Sequence, residues 1–401
     1  MLSRQGPKAA VGDINADGLP DVYIGGTQGH PGQVYVQKKS GGFEKMKEPA
    51  FNQFVDFEDE AVLLFDADGD GDLDLLVGPG GNNNSPLSRQ MQNRLFKNDG
   101  KGNFTIAPTA FSNSNGVNTA VALAYDFNHD GYLDLFIGGR SVPLTYGADP
   151  ASVIYLNDGK GNFTDATASI CPAISHIGMV TGAALADLDG DKEKELVLTG
   201  EWMSPRIFSV KKDRLEEIKT NLSGMYGWWR TVAVADLDGD GKEDLVLGNI
   251  GENFYLHPGP ATPVKLWITD FDQNNSPDRI MTYTIGGKDL PVFLKHDMED
   301  QIPSLKKQNL KHHDFAKKSI QELFSPEILK NAQVKQFNYT PSVIAFNEGG
   351  GKFRIELLPP MVQLSSVNAV RCTDINGDGA PDLLLGGNDF DFPPQFGRLD
   401  A

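Results

Sequence analysis

Short apolar runs alternate with acidic loops along this chain, and the runs read as strands. "AVALAY" leads into Asp126 and "LDLFIGG" leads out of the loop it opens; "AVAVAD" and "DLVLGN" flank a later copy. Runs this short, bounded by Gly, Asn or Asp, fit strands better than helices. The loops obey one nine-residue rule, D-x-[DN]-x-[DN]-[GKN]-x-x-[DE], at 13–21, 66–74, 126–134, 187–195, 236–244, 270–278 and 374–382. Each loop therefore joins two antiparallel strands. A second hairpin often follows: "RLFKNDGKGNFT" (94–105), "VIYLNDGKGNFT" (153–164), "VIAFNEGGGKFR" (343–354) and a looser "VYVQKKSGGFEK" (34–45). Two hairpins make four strands, the size of one propeller blade. A single loop would be a weak motif, whereas seven in one chain are an architecture.

The seven copies can be compared position by position. Oxygen side chains recur at position 1 (Asp13, Asp66, Asp126, Asp187, Asp236, Asp270, Asp374) and at position 3 (Asn15, Asp68, Asn128, Asp189, Asp238, Asp272, Asn376). They recur again at position 5 (Asp17, Asp70, Asp130, Asp191, Asp240, Asn274, Asp378) and at position 9 (Asp21, Asp74, Asp134, Glu195, Asp244, Asp278, Asp382). Such a set can converge on a hard cation, and Ca²⁺ takes six to eight oxygens at about 2.3–2.6 Å. Position 7 differs in every copy (Leu19, Asp72, Tyr132, Glu193, Lys242, Ser276, Ala380), as expected where the ligand is the backbone carbonyl. Position 2 is always apolar (Ile14, Ala67, Phe127, Leu188, Leu237, Phe271, Ile375) and should turn into packing beneath the loop. Position 6 is Gly in five copies, which suits a backbone with φ > 0. Asn275 tolerates that conformation, and Lys192 fits it poorly. The β-rich flanks exclude an EF-hand, which has helices on both sides and a Glu at position 12.

The loops, their "F/L-I/V-G-G" exits and the "N-D-G-K-G-N-F" hairpins resemble FG-GAP/VCBS repeats, the propeller repeats of integrin α-subunit heads and of many secreted bacterial proteins. "GWWRTVAVADLDGDGKEDLVLGNIGENFY" (227–255) and "ELLPPMVQLSSVNAVRCTDINGDG" (356–379) are similar to the cartilage-acidic-protein branch. The resemblance covers nearly all of the chain except about forty residues after His296. It implies an all-β propeller, calcium in the loops, and an extracellular adhesion or ligand-binding scaffold with no shared catalytic apparatus.

Composition supports metal loops. Half of the 54 acidic residues fall inside the seven windows, so the formal net charge of −18 is largely ligand charge. Seven bound Ca²⁺ would leave about −4, an ordinary value for a soluble protein. This balance argues against nucleic acid as a partner, which calls for basic patches. Cys171 and Cys372 give no disulfide framework; one long-range bridge stays open beside the plainer reading of two unpaired thiols. No segment is long and apolar enough to span a membrane as a helix.

Residues 296–335 break the β pattern. Ile320, Leu323, Phe324 and Ile328 follow helical spacing, and Ser325-Pro326-Glu327 carries a capping side chain with Pro at the first helical position. A lysine-rich helical insertion is expected here, either over one propeller face or as a solvated decoration. His296, His312 and His313 lack a companion carboxylate or Cys at ligand spacing and read as surface residues. Tyr226, Trp228, Trp229 and Arg230, near Trp202, form the densest aromatic group. They are candidate contacts for a sugar or a protein side chain, against the plainer reading of blade core. No nucleophile elbow, zincin, P-loop or dinucleotide motif is present. Asn103 and Asn162 are sequons in hairpin turns.

These readings combine into one expectation. Residues 1–401 form an all-β propeller, most simply of seven blades with six or eight as alternatives, carrying up to seven Ca²⁺ and a helical insertion at 296–335. The short lead before Asp13 and the abrupt end at Ala401 suggest a piece of a longer exported protein. It would act outside the cell or at its surface as a non-catalytic scaffold for a protein or polysaccharide. The alternative is a glycan-active hydrolase or lyase on the same calcium-stabilised frame.

Overall fold

The computed structural model describes residues 7–113, 116–212, 214–308 and 311–388. Seven antiparallel sheets are present among them. Sheet 1 comprises Ala9–Gly12, Asp21–Ile24, Gln33–Gln37 and Phe43–Lys45, and sheet 2 comprises Asp59–Phe65, Asp74–Pro79, Arg94–Lys97 and Thr105–Ala107. Sheet 3 is built from Asn118–Tyr125, Asp134–Ser141, Val153–Asn157 and Phe163–Asp165. Sheet 4 contains Met179–Ala186, Glu195–Met203, Arg206–Lys211 and Arg214–Ile218, with Gly227–Trp228 added beside its second strand. Sheet 5 is Thr231–Ala235, Asp244–Gly248, Val343–Gly349 and Lys352–Leu357; sheet 6 shows Ala369–Thr373 and Asp382–Gly386. In all six, an acidic loop joins the first strand to the second, as the sequence pattern predicts.

The first strands stand side by side in chain order. Asp59–Phe65 packs on both Ala9–Gly12 and Asn118–Tyr125, and the series continues through Met179–Ala186 and Thr231–Ala235 to Ala369–Thr373. From sheet 1 to sheet 5, each sheet-to-sheet interface has its own apolar core. Tyr23 and Val34 of sheet 1 meet Leu75, Val77 and Phe96 of sheet 2, and Leu76 and Leu95 of sheet 2 meet Leu135, Val153 and Tyr155 of sheet 3. Buried on both faces, the second strands of sheets 2 to 5 are covered at every position, which explains their unbroken apolar runs. Four-stranded antiparallel sheets stacked this way are consistent with a β-propeller.

The seventh sheet departs from one blade per loop. Asp278–Ile285 lies at its centre with Lys288–Pro291 on one side and Val264–Thr269 on the other, followed by Gln333–Phe337. All four strands fall between Asp244–Gly248 and Val343–Gly349, which are hydrogen-bonded neighbours within sheet 5. The sixth loop, 270–278, thus sits in a sheet inserted into sheet 5. Gln333–Phe337 rests on Glu195–Met203 of sheet 4 and not on the series of first strands.

The insertion is accordingly larger than the 296–335 expected. It spans 249–342 and combines this sheet with helices at Lys295–Gln301, Ser304–Gln308, His312–Phe315, Ile320–Leu323 and Pro326–Lys330. Ser325 caps the last of these by accepting from the Ile328 amide, and Ser319 with Glu322 forms a capping box on the one before. Ile320, Leu323 and Phe324 bury against Phe271, Ile280 and Met298, so the helices roof the inserted sheet with a core of their own. His296, His312 and His313 lie on the exposed side. Cys171 is buried, Cys372 half-buried, and both are free. Residues 389–401, which follow the second strand of sheet 6, lie outside the described residues.

Candidate metal centres

Three hydrogen bonds recur in all seven loops. The position 2 amide donates to the position 9 carboxylate at 2.8–3.2 Å. The position 6 amide donates to the position 1 carboxylate at 2.8–3.1 Å. The position 7 amide donates to the position 5 side chain at 2.7–3.1 Å. Each carboxylate or amide oxygen is aimed by the backbone, and its remaining lone pairs stay available to a cation. Position 7 thus shapes the loop through its N–H, which explains its tolerance of any side chain.

Positive φ occurs at position 6 in every copy, including Lys192 at 75° and Asn275 at 67°. It occurs at position 4 too, where Ala16, His129 and Gln273 join four glycines. Glycine holds position 4 in four of the seven copies, a signal that the sequence reading passed over. A left-handed non-Gly residue costs about 1–2 kcal/mol. Lys192→Gly should therefore raise stability by about 1 kcal/mol, read as a higher denaturant midpoint at an unchanged slope; an equal or lower midpoint would show that Lys192 is not strained.

Carboxylate oxygens lie within 4.8 Å of one another in four loops: Asp66 with Asp68 and Asp70, Asp187 with Asp189 and Glu195, Asp236 with Asp238 and Asp244, and Asp270 with Asp272 and Asp278. The other three loops carry Asn15, Asn128 or Asn376 at position 3, so an amide oxygen replaces one carboxylate. Oδ1 of Asp68, Asp72 and Asp272 is buried and meets no hydrogen-bond donor. A buried anionic oxygen without a donor is costly, and a hard cation satisfies it. The residues therefore fit calcium. Asp72 sits at position 7, so in the second loop a side chain adds to what the backbone supplies there.

The crowded carboxylates titrate high in the metal-free protein. Burial is the leading cause for Asp74 and Glu195, each raised to about 7, and for Asp72 and Asp134, each raised to about 6. Neighbouring loop carboxylates push in the same direction. Lys97 reaches into the second loop, its ammonium 2.8 Å from Asp68 Oδ2.

Position 2 buries as expected at Ile14, Ala67, Phe127, Leu188 and Phe271; Leu237 is half-buried and Ile375 is 63% exposed. Ile14, Ala67, Phe127 and Leu188 are covered by the sheet that follows and Phe271 by the helical roof, whereas no further sheet covers Ile375 among the described residues. The adjoining loops are also stapled by an asparagine that the sequence reading passed over. Asn98 Nδ2 donates to Ile14 O of the first loop (2.7 Å) and Leu73 O of the second (3.1 Å). Asn157 repeats this on Ala67 O and Leu133 O, and Asn347 on Leu188 O and Glu243 O. The backbone N–H of each donates at 2.8 Å to its own sheet's position 9 carboxylate. The signal was the first Asn of the repeated "N-D-G" hairpin. The last Asn of that hairpin, Asn103 or Asn162, closes the turn by donating to Asp99 or Asp158. Asn157→Ala should cost about 2 kcal/mol in denaturant unfolding, because the buried Ala67 carbonyl and the part-buried Leu133 carbonyl lose their donor. A loss below about 0.5 kcal/mol would show that the staple carries no weight.

The aromatic candidates are placed differently from the surface reading. Trp229 is fully buried, stacks on Tyr339 at 5.9 Å and donates its indole N–H to Met225 O. Trp228 is buried between Trp202, Phe254 and Phe337, parallel to the last at 4.8 Å. Both are buried in the core. Arg230 binds Glu201 at 2.7 Å, and Glu201 also holds Arg140 at 2.9 Å and Tyr146 at 3.1 Å. Burial opposes the Glu201 charge, but Arg140 and Arg230 outweigh it and hold its carboxyl below the ordinary range. Tyr226, half-buried like Arg230, lines a cavity of about 360 Å³ with Trp202, Asp149, Arg206 and Lys335.

Stacked antiparallel sheets with acidic loops that could hold cations define an all-β repeat protein, consistent with a propeller. Residues 13–77, 80–137 and 187–247 match the FG-GAP-like repeat, so the chain carries three repeats of the FG-GAP type. No curated protein matches it. Among solved structures it is similar to one described as showing specific recognition of non-reducing terminal N-acetylglucosamine by an Agrocybe aegerita lectin. There the identity is 16% and the TM-score 0.36, over 90% of this chain and 92% of that one. It is also similar to the V. cholerae biofilm matrix protein Bap1, at 13% identity and a TM-score of 0.34, over 96% of this chain and 66% of that one. No helix among the described residues is long and apolar enough to cross a membrane.

Proposed function

We propose that this chain is a non-catalytic, calcium-rigidified propeller that works outside the cell as a binding scaffold for a protein or polysaccharide. The observation that carries the reading is the loop template: one set of three bonds repeated seven times, with buried carboxylate oxygens that lack donors. That design builds rigidity and leaves recognition to the irregular segments. The insertion at 249–342 and the cavity lined by Tyr226 supply such a surface. The rival reading, a glycan-active enzyme, calls for a carboxylate pair free of both metal and guanidinium. The buried pair nearest that description, Glu60 and Glu201, is spent on Arg140 at 3.4 and 2.9 Å, which favours the scaffold.

A glycan and protein array probed with calcium-loaded chain tests this. Binding to one partner class, lost in chelator and weakened roughly tenfold by Tyr226→Ala at unchanged calcium content, is the expected result. Turnover of an arrayed glycan would overturn the non-catalytic reading.

A further inference from the structure

A second cavity lies at the end of sheet 2 farthest from its metal loop. It measures about 420 Å³, within the range that holds a small ligand. The short helical turn Pro49–Phe54 contributes Gln53 and Phe54, the turn Arg89–Met91 contributes Arg89, and the third strand begins at Arg94. Ile106, Pro108 and Phe111 supply an apolar wall.

The two arginines are unusual in their setting. Both guanidiniums lie over the same rings: Arg89 at 5.4 and 5.1 Å from Phe54 and Phe57, Arg94 at 5.2 and 4.6 Å. Arg94 is buried, pairs with Asp59 through Nη2 at 2.6 Å, and leaves Nε without a partner. Arg89 is exposed and donates Nη2 to Gln53 O at 3.1 Å. It has no carboxylate within 4.0 Å among the described residues. The Arg94–Asp59 pair is neutral as a unit, so Arg89 leaves the cavity with one net positive charge. On a chain of formal charge −18, a concave site of that sign is selective.

We propose that this cavity binds a small monocarboxylate, its charge taken by Arg89 and Arg94 and its body laid on the Ile106–Phe111 wall. Guanidinium matches carboxylate in two-pronged geometry, and stacking on Phe54 and Phe57 fixes its plane before the ligand arrives. One positive charge and an apolar wall suit a singly charged ring-sized ligand better than a phosphate. Two sources share that chemistry: the uronate of an acidic polysaccharide and the free C-terminus of a peptide with an apolar last residue. The site deepens the scaffold reading by naming a ligand class, but it stands on residues separate from the calcium loops and from the Tyr226 cavity.

Calorimetric titration of the calcium-loaded chain tests it with four probes: methyl glucuronide, its neutral counterpart methyl glucoside, N-acetylphenylalanine and its neutral amide. The expected result is millimolar or tighter binding of one carboxylate, at least about tenfold tighter than its neutral counterpart. Which carboxylate binds identifies the source. Arg89→Gln, at an exposed position, should weaken it about tenfold, and Arg94→Lys, which keeps the charge beside Asp59, should weaken it also. Failure of both carboxylates, equal binding of the neutral probes, or affinity untouched by both variants would overturn the site. Each of those results leaves the scaffold reading to its own array experiment.

Discussion

Stripping calcium at pH 7.5 should lower the melting temperature by about 10 °C or more, and the same treatment at pH 5 should lower it far less. The magnitude follows from mass action. A site held at a hundredfold excess over its Kd adds about 2.7 kcal/mol, and five such loops make metal one of the larger stabilising contributions in the chain. The pH dependence follows from the metal-free carboxylates. Asp74 and Glu195 titrate at about 7 and Asp72 and Asp134 at about 6, raised first of all by burial. In the unfolded chain such groups titrate near 4. Their folded pKa is raised, so the fold prefers them protonated, and the stability that protonation confers is lost as pH climbs from about 4 through 7. Calcium in the loops would bind the ionised form and restore what the charge removes. Thermal melts in calcium and in chelator at both pH values check this; an equal chelator effect at pH 5 and 7.5 would contradict it.

Trp229→Ala should destabilise the chain by about 3–5 kcal/mol, the range for emptying a fully buried aromatic site. Trp229 packs with Val232, Leu245 and Val343 between sheets 4 and 5, and its indole N–H is already matched to Met225 O. Tyr226→Ala, three residues away and half-buried, should cost far less. Denaturant unfolding of both variants separates the core reading from the surface reading. A Trp229→Ala loss below about 1 kcal/mol would return that residue to the list of partner contacts.

The two aromatic residues show where the sequence stops being legible. A partner-facing Trp and a core Trp are the same letter, and only the neighbours decide. Trp228 is core because Phe337, distant along the chain, lies parallel to it at 4.8 Å. The metal loops were legible for the opposite reason: ligation fixes oxygen side chains at set spacings, so chemistry writes itself into the local sequence. The backbone bonds behind it were readable only in part. Position 6 announces its positive φ through glycine in five copies; position 4 does so in four and adopts one without glycine at Ala16, His129 and Gln273.

Repeat count was legible only while loop and sheet stayed in step. The loop at 270–278 obeys the same rule as its siblings, since the rule concerns a cation and not the sheet that carries it. Its place inside sheet 5 depends on the pairing of Leu245 with Ala345 across the insertion, a contact no local pattern encodes. The helical caps at Ser319 and Ser325 were readable because capping is local; the roof they build over Phe271 was not. The Asn98, Asn157 and Asn347 staples fall between these cases, visible as a repeated letter whose job needs two sheets to explain.

The account rests on cations filling the acidic loops, and metal counting tests that most directly. Chain stripped in chelator, returned to millimolar calcium, freed of excess and measured by mass spectrometry should hold five to seven Ca²⁺ per chain. Two or fewer would contradict the account and leave the seven loops as turns held by their hydrogen bonds alone.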